Sequence, residues 1–111
     1  MYNKNMIPAM FTVVETPEFI ASAGALWNEE QREAFVDFIA RSPLVGDVIP
    51  GAQGVRKVRW AAKGHGKRGG ARVIYFNQLD DGLIVLLAVY VKTETEDLPR
   101  KTVRKLKDEA L

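Results

Sequence analysis

Residues 83–92 read LIVLLAVYVK and contain the longest apolar run in the chain. The nine apolar residues from Leu83 to Val91 are too few to span a membrane, which takes about 20 residues. A continuous apolar run that follows an Asp81-Gly82 turn signal is instead typical of a strand buried on both faces. We therefore expect a sheet in which this strand is central and is covered by helices or by the C-terminal segment.

Three further segments have the composition of strands. They are 11–15 (FTVVE), 55–61 (VRKVRWA) and 71–78 (ARVIYFNQ). The two-residue period of a strand places Lys57 and Arg59 on one face of the second segment and the apolar residues beside them on the other. Trp60 and Phe76 are expected to lie in the core. The glycine-rich stretch 63–70 (KGHGKRGG) predicts a hairpin loop.

Capping signals predict two helices between the first two strands. Thr16-Pro17 suits the N-cap and first position of a helix that runs to about Ala25. Asn28 begins the second helix, with Gln31 placed as in a capping box. Ser42-Pro43 ends this helix because a residue before proline avoids helical torsions.

The remaining segments complete the predicted fold. Residues 44–54 hold three glycines and Pro50, and we expect a loop there with at most a brief extended piece at Val48-Ile49. Asp97 is expected to cap a last helix that has Pro99 in its first turn.

The element order is then β-α-α-β-β-β-α, which predicts an α+β fold. We expect a small, mostly antiparallel four-stranded sheet with an N-terminal helical hairpin and a C-terminal helix. The 111 residues suit a single domain, which we place at 10–111 after a flexible lead-in at 1–9.

The composition excludes several kinds of functional site. The chain has no cysteine, so a thiolate nucleophile and a cysteine-based metal centre are ruled out. Its single histidine, His65, rules out a two-histidine metal site within one chain. The N-terminal residues lack the apolar stretch of a signal peptide. We expect a cytoplasmic protein that does not bind a membrane and uses no metal ion or other cofactor.

The positive charge of the chain is concentrated in its central third. Residues 48–79 contain seven basic residues and no acidic residue, although the net charge of the whole chain is only +2. A surface that is merely solvated usually mixes both signs. This distribution favours an anionic partner such as nucleic acid.

Four basic residues form the predicted centre of this region. Lys57 and Arg59 share a strand face, Arg72 lies just beyond the hairpin loop, and Lys92 ends the last strand. Cations gathered on one sheet face repel one another unless an anion lies among them, and arginine matches a phosphate bidentately. The alternative is an ordinary solvated polar face.

Residues near this centre suggest further contacts with RNA. Lys63, His65, Lys67 and Arg68 lie in the glycine-rich loop, which either grips a phosphate backbone or is only a mobile hairpin tip. Tyr90 is the best candidate for stacking on a base or for proton transfer. Paired carboxylates and a serine-histidine arrangement are absent, so the available chemistry is that of cations and a tyrosine.

The central part of the sequence resembles a known toxin family. GDVIPG (46–51), GVRKVR (54–59), KGHGKRGGARVIY (63–75) and YVKTETEDL (90–98) together resemble the HigB-type toxins of the RelE/ParE superfamily. The resemblance implies a bacterial type II toxin, an endoribonuclease that cleaves mRNA on the ribosome by attack of the 2′-hydroxyl, without a metal ion. It also implies a cognate helix-turn-helix antitoxin as partner.

Carried over by position, the resemblance assigns roles to the basic residues. It implies that Lys57, Arg59, Arg72 and Lys92 hold the scissile phosphate. Lys63, Lys67 and Arg68 would grip the RNA backbone, and we include Arg56 and His65 among the RNA-binding residues. The C-terminal catalytic tyrosine of well-known RelE enzymes has no match here, which leaves the identity of the general base open. Tyr90 and Lys57 are the candidates, and if neither serves, we expect slow cleavage or binding without cleavage.

Two other functions fit the same resemblance less well. A ParE-like protein would inhibit DNA gyrase by protein contact and would need no phosphate site. A non-catalytic module would bind RNA or sequester an antitoxin. The clustered Lys57, Arg59 and Arg72 favour RNA cleavage over gyrase inhibition, and alanine substitution distinguishes cleavage from binding alone.

Overall fold

A computed structural model describes residues 10–61, 70–91 and 97–110. Over these residues a five-stranded mixed sheet carries helices on both faces. The strands are β1 (Thr12–Glu15), β2 (Asp47–Val48), β3 (Arg56–Trp60), β4 (Ala71–Gln78) and β5 (Leu83–Val91). The helices are α1 (Pro17–Leu26), α2 (Glu29–Arg41) and α3 (Arg100–Ala110). Within the described ranges, no helix has the length and hydropathy needed to cross a membrane.

The strand order is β1-β5-β4-β3-β2, so β5 lies inside the sheet between β1 and β4. β1 runs parallel to β5, and every other neighbouring pair is antiparallel. All residues of β5 after Leu83 are buried, which confirms the prediction of a strand covered on both faces. A bulge opposite Ile74 and Tyr75 leaves Leu87 as the extra residue, so Leu87 and Ala88 join the same apolar cluster.

The helical hairpin α1–α2 packs on one face of the sheet, as predicted. Phe35 is fully buried, and its ring centroid lies 5.3 Å from that of Trp60 on β3. The Phe38 ring lies 4.7 Å from the same indole. The Trp27 indole N–H donates to the Ala61 carbonyl oxygen at 3.0 Å. These aromatic contacts join β3 to both helices and place Trp60 against the core.

Helix α1 also satisfies backbone groups of β5 that β1 does not reach. β1 pairs with β5 only as far as Leu86. At the end of this pairing the Thr16 hydroxyl donates to the Leu86 carbonyl oxygen at 2.8 Å, and farther along β5 the Ser22 hydroxyl accepts from the Val89 N–H at 3.0 Å. Thr16 caps α1 by accepting from the Phe19 N–H, so one residue stabilises both the helix and the strand.

Helix α3 covers the other face. Val103 is almost fully buried in the apolar cluster that contains Val55, Ile74, Phe76 and Leu87. Basic side chains hold the helix to the loop before β3, because Arg104 donates to the Gly51 carbonyl oxygen and Lys107 to that of Gln53. Phe76 is therefore a core residue, as the sequence predicts.

The predicted strand count was wrong by one, because the brief extended piece expected at Val48-Ile49 is a paired edge strand that begins one residue earlier. The segment 44–54 contains β2, in which Asp47 and Val48 pair with Lys57 and Arg56 of β3. A two-residue edge strand shows no measurable alternation in the sequence. Its position depends on contacts with distant residues, which hold the loop against the edge of β3.

The start of the last helix was also predicted wrongly. α3 begins at Arg100, and its first turn contains a hydrogen bond from the Val103 N–H to the Pro99 carbonyl oxygen. Asp97 lies before the helix and its side chain has other partners. A sequence pattern cannot separate a capping carboxylate from one that binds side chains on distant strands.

Tyr75 holds the loop that leads into β2. Its hydroxyl accepts from the Gly46 N–H and donates to the Pro43 carbonyl oxygen, both at 2.9 Å. Asn77 donates to the same Pro43 oxygen at 2.8 Å. Gly46 approaches Tyr75 so closely that a side chain has no room there.

This close approach predicts opposite effects for two glycine-to-alanine variants. In Gly46→Ala the new Cβ would lie 2.8 Å from the Tyr75 hydroxyl oxygen and 3.0 Å from the Lys57 carbonyl oxygen. We expect a loss of roughly 1–3 kcal/mol in the free energy of unfolding. Gly24→Ala, in α1 with nothing within 4 Å, should gain roughly 0.5–1 kcal/mol. Urea unfolding measures both, and equal shifts would contradict the packing described.

The aromatic layer predicts a larger effect at Phe35. We expect Phe35→Ala to lose roughly 3–5 kcal/mol because it leaves a cavity between Trp27 and Trp60. Ile20→Ala is the control, since Ile20 is 56% exposed and should change stability by about 0.5 kcal/mol or less. Similar unfolding midpoints for the two variants would contradict this description of the core.

Candidate active site

The strand register places three of the predicted site residues in one row. Arg59 on β3 is the direct partner of Arg72 on β4, and Arg72 is the direct partner of Tyr90 on β5. Directly paired residues point to the same face of a sheet. Lys57 lies two residues before Arg59 and so shares this face, which also carries α3.

Lys57, Arg59 and Arg72 line a cleft of about 460 Å³. Its lining residues are Val45, Asp47, Lys57, Val58, Arg59 and Arg72. Arg59 is exposed, whereas Arg72 is 8% exposed and donates to the Gly70 carbonyl oxygen at 3.3 Å. The cleft therefore combines a half-buried lysine, one solvent-facing arginine and one arginine set in the sheet. Such a set of donors matches the oxygens of a phosphate group.

A carboxylate that the sequence analysis did not select completes this arrangement. Asp97 Oδ1 lies 3.4 Å from Lys57 Nζ and accepts a hydrogen bond from the Tyr90 hydroxyl at 3.0 Å. Asp47 also lines the cleft, so among the described residues two carboxylates accompany three cations. In the sequence, the only sign of this contact was that Asp97 follows the last strand closely. A helix-capping role explained the same residue equally well.

Tyr90 lies at the boundary between the core and the cleft. Its side chain packs in the cluster under α3, and the residue is only 9% exposed. Burial raises the pKa of Tyr90 above its usual value, and the hydrogen bond to Asp97 raises that pKa further, while Arg72 acts in the opposite direction. The hydroxyl therefore keeps its proton at neutral pH. This burial leaves little ring surface for base stacking and favours a role as hydrogen-bond donor.

Other predicted residues do not join this group. Arg56 lies on the opposite face, opposite Tyr75, and donates to the Gly46 carbonyl oxygen at 2.7 Å. The following lie outside the described residues: Lys63, His65, Lys67, Arg68 and Lys92. In the part of the chain that is described, no cluster of three acidic or histidine side chains could hold a metal ion.

Comparison with known proteins identifies the fold. No family model matches the sequence. A mutant of the Escherichia coli toxin RelE in the free state superposes with a TM-score of 0.57 and 11% identity, over 91% of this chain and 94% of the other. The toxin–antitoxin complex RelBE2 of Mycobacterium tuberculosis gives a TM-score of 0.57 and 22% identity, over 74% of this chain and 91% of the matched chain. The chain therefore has a RelE-like fold.

Proposed function

We propose that this protein is the toxin of a type II toxin–antitoxin system and that it cleaves mRNA on the ribosome. The observation that carries the proposal is the cleft that Lys57, Arg59 and Arg72 line together, where the cations outnumber the carboxylates among the described residues. The RelE-like fold supports the role of toxin. The sequence motifs support the HigB-type branch of the superfamily and activity in the cytoplasm, where translation occurs.

The chemistry of RNA explains why these cations suit cleavage. Attack of a 2′-oxygen on the adjacent phosphorus produces a pentacovalent phosphorane with more negative charge than the phosphodiester. Donors placed where charge develops stabilise the transition state more than the substrate, and this lowers the barrier. Lys57, Arg59 and Arg72 line the same cleft from two neighbouring strands. The expected products are a 2′,3′-cyclic phosphate and a 5′-hydroxyl.

An antitoxin is the second partner that we propose. One of the similar structures is a complex of a toxin with its antitoxin. The sequence motifs indicate a helix-turn-helix antitoxin for the present chain. A gyrase inhibitor of the ParE type would not need a cleft lined by these cations, so inhibition of gyrase is an outcome of the test below.

Arg59 and Arg72, with the exposed Arg41 as control, allow a matched test in cells. We expect induction of the wild type to arrest growth and to create new mRNA 5′ ends inside translated reading frames. Arg59→Ala and Arg72→Ala should each lower cleavage by roughly 10²–10³-fold because a transition-state donor is lost. Arg41→Ala removes the same charge from the exposed end of α2 and should cut normally. Growth arrest without new 5′ ends would contradict the nuclease and direct attention to gyrase.

RNA binding gives an independent measurement. We expect the affinity for a non-cleavable single-stranded RNA, 2′-O-methylated at each ribose, to fall with salt. Replacing Arg59 by alanine should reduce the slope of log affinity against log salt by roughly 0.7, the value for one lost phosphate contact. The Arg41→Ala variant should keep the wild-type slope. An unchanged slope in Arg59→Ala would show that this arginine does not touch phosphate.

A further inference from the structure

The Asp97 carboxylate is the point where two groups from different strands meet. The Tyr90 hydroxyl on β5 and the Lys57 ammonium on β3 approach the same oxygen, Oδ1, at 3.0 Å and 3.4 Å. Asp97 itself belongs to the segment that leads into α3. Its side chain is 46% exposed, so a bound RNA strand has access to it. Two donors on one oxygen fix the carboxylate at the cleft.

Cleavage by a 2′-oxygen requires a group that accepts the hydroxyl proton. Tyr90 cannot serve at neutral pH because its proton is retained and is donated to Asp97. Lys57 is a donor in the ion pair, and lysine and arginine side chains offer donors but no acceptor. Asp97 is the carboxylate of this contact network, and carboxylate oxygens are acceptors.

We propose that Asp97 is the general base of the cleavage reaction, an inference that rests on the proposed function. Asp97 takes the proton from the 2′-hydroxyl while the O2′–P bond forms. The P–O5′ bond then breaks, its electron pair stays on O5′, and Lys57 gives O5′ a proton. The proton on Asp97 passes along the ion pair to Lys57, which restores both groups to their starting charges.

This assignment also accounts for the charge balance during the reaction. When the phosphodiester becomes a phosphorane, its negative charge rises by one. Protonation of Asp97 removes one negative charge from the cleft at the same moment, so the cations act on the phosphorane with less competition. Tyr90 is a positioning residue in this scheme because it acts only through the carboxylate that it holds.

Asp47 offers a matched control for the charge of Asp97. Asp47 is the direct partner of Lys57 across β2 and β3, and it lies on the rim of the same cleft. It belongs to an exposed two-residue edge strand, whereas Asp97 is held by a donor that is almost fully buried. Asp97→Asn and Asp47→Asn each remove one negative charge beside Lys57, so both should bind RNA more tightly. Only Asp97→Asn removes the proposed proton acceptor.

The experiment separates binding from cleavage on ribosomes programmed with a defined mRNA. Cleavage is followed in a single turnover with the toxin in excess, and binding is measured with the same mRNA 2′-O-methylated at the target codon. We expect Asp97→Asn to cut roughly 10²–10⁴-fold more slowly, the usual contribution of a general base, with equal or tighter binding. Asp47→Asn, which also removes a negative charge from the cleft but leaves Asp97 and its donors in place, should slow cleavage far less than Asp97→Asn. Thermal unfolding checks that both variants fold.

The outcomes distinguish this inference from the proposed function. If the wild type cuts no mRNA, both fail. If the wild type cuts and Asp97→Asn cuts as fast as Asp47→Asn, only the general base is wrong. A parallel loss of binding and rate in Asp97→Asn would also overturn it, because Asp97 would then be structural.

The Tyr90→Phe variant tests the role of Asp97 without changing the charge of the cleft. Tyr90→Phe should slow cleavage, and in the Asp97→Asn background it should slow cleavage no further, since Tyr90 acts through Asp97. An additive effect of the two changes would contradict the proposed link.

Discussion

Burial of β5 between two apolar layers is the interaction on which the rest of the structure depends. One layer comes from the helical hairpin, with Phe19 and Phe35 at its centre, and the other comes from α3, through Val103. A strand with no polar face cannot lie at a solvent-exposed sheet surface. Both faces must therefore be covered, and the positions of all three helices follow from this requirement.

The candidate site lies where the α3 layer ends. On that face the apolar cluster includes Ile74 and Phe76 of β4, while the next position on the same face toward the start of the strand is Arg72. Arg72 has Arg59 on one side and Tyr90 on the other. The apolar packing that stabilises the fold thus also holds the row of donors in place. The free energy gained from this packing offsets the repulsion among the cations.

Tyr90 takes part both in the apolar packing on this face and in the contacts of the candidate site. Its ring contributes to the apolar cluster and its hydroxyl binds Asp97 at the cleft. A buried ring has few alternative rotamers, so the hydroxyl presents a well-defined donor to the carboxylate. The ion pair between Asp97 and Lys57 is partly exposed and contributes little to stability. The ion pair therefore matters more for our proposed chemistry of the cleft than for the stability of the fold.

The sequence by itself determined most helices and strands, the capping of α1 and α2, and the face on which Lys57 and Arg59 lie. These features depend on local properties: side-chain period, capping residues and proline torsions. The tertiary structure alone decided that Arg59, Arg72 and Tyr90 form one row, that residues 47–48 add an edge strand, and that Asp97 contacts Tyr90 and Lys57 instead of capping α3. Strand register and the return of the chain across the sheet arise from long-range packing, which no short segment of sequence encodes.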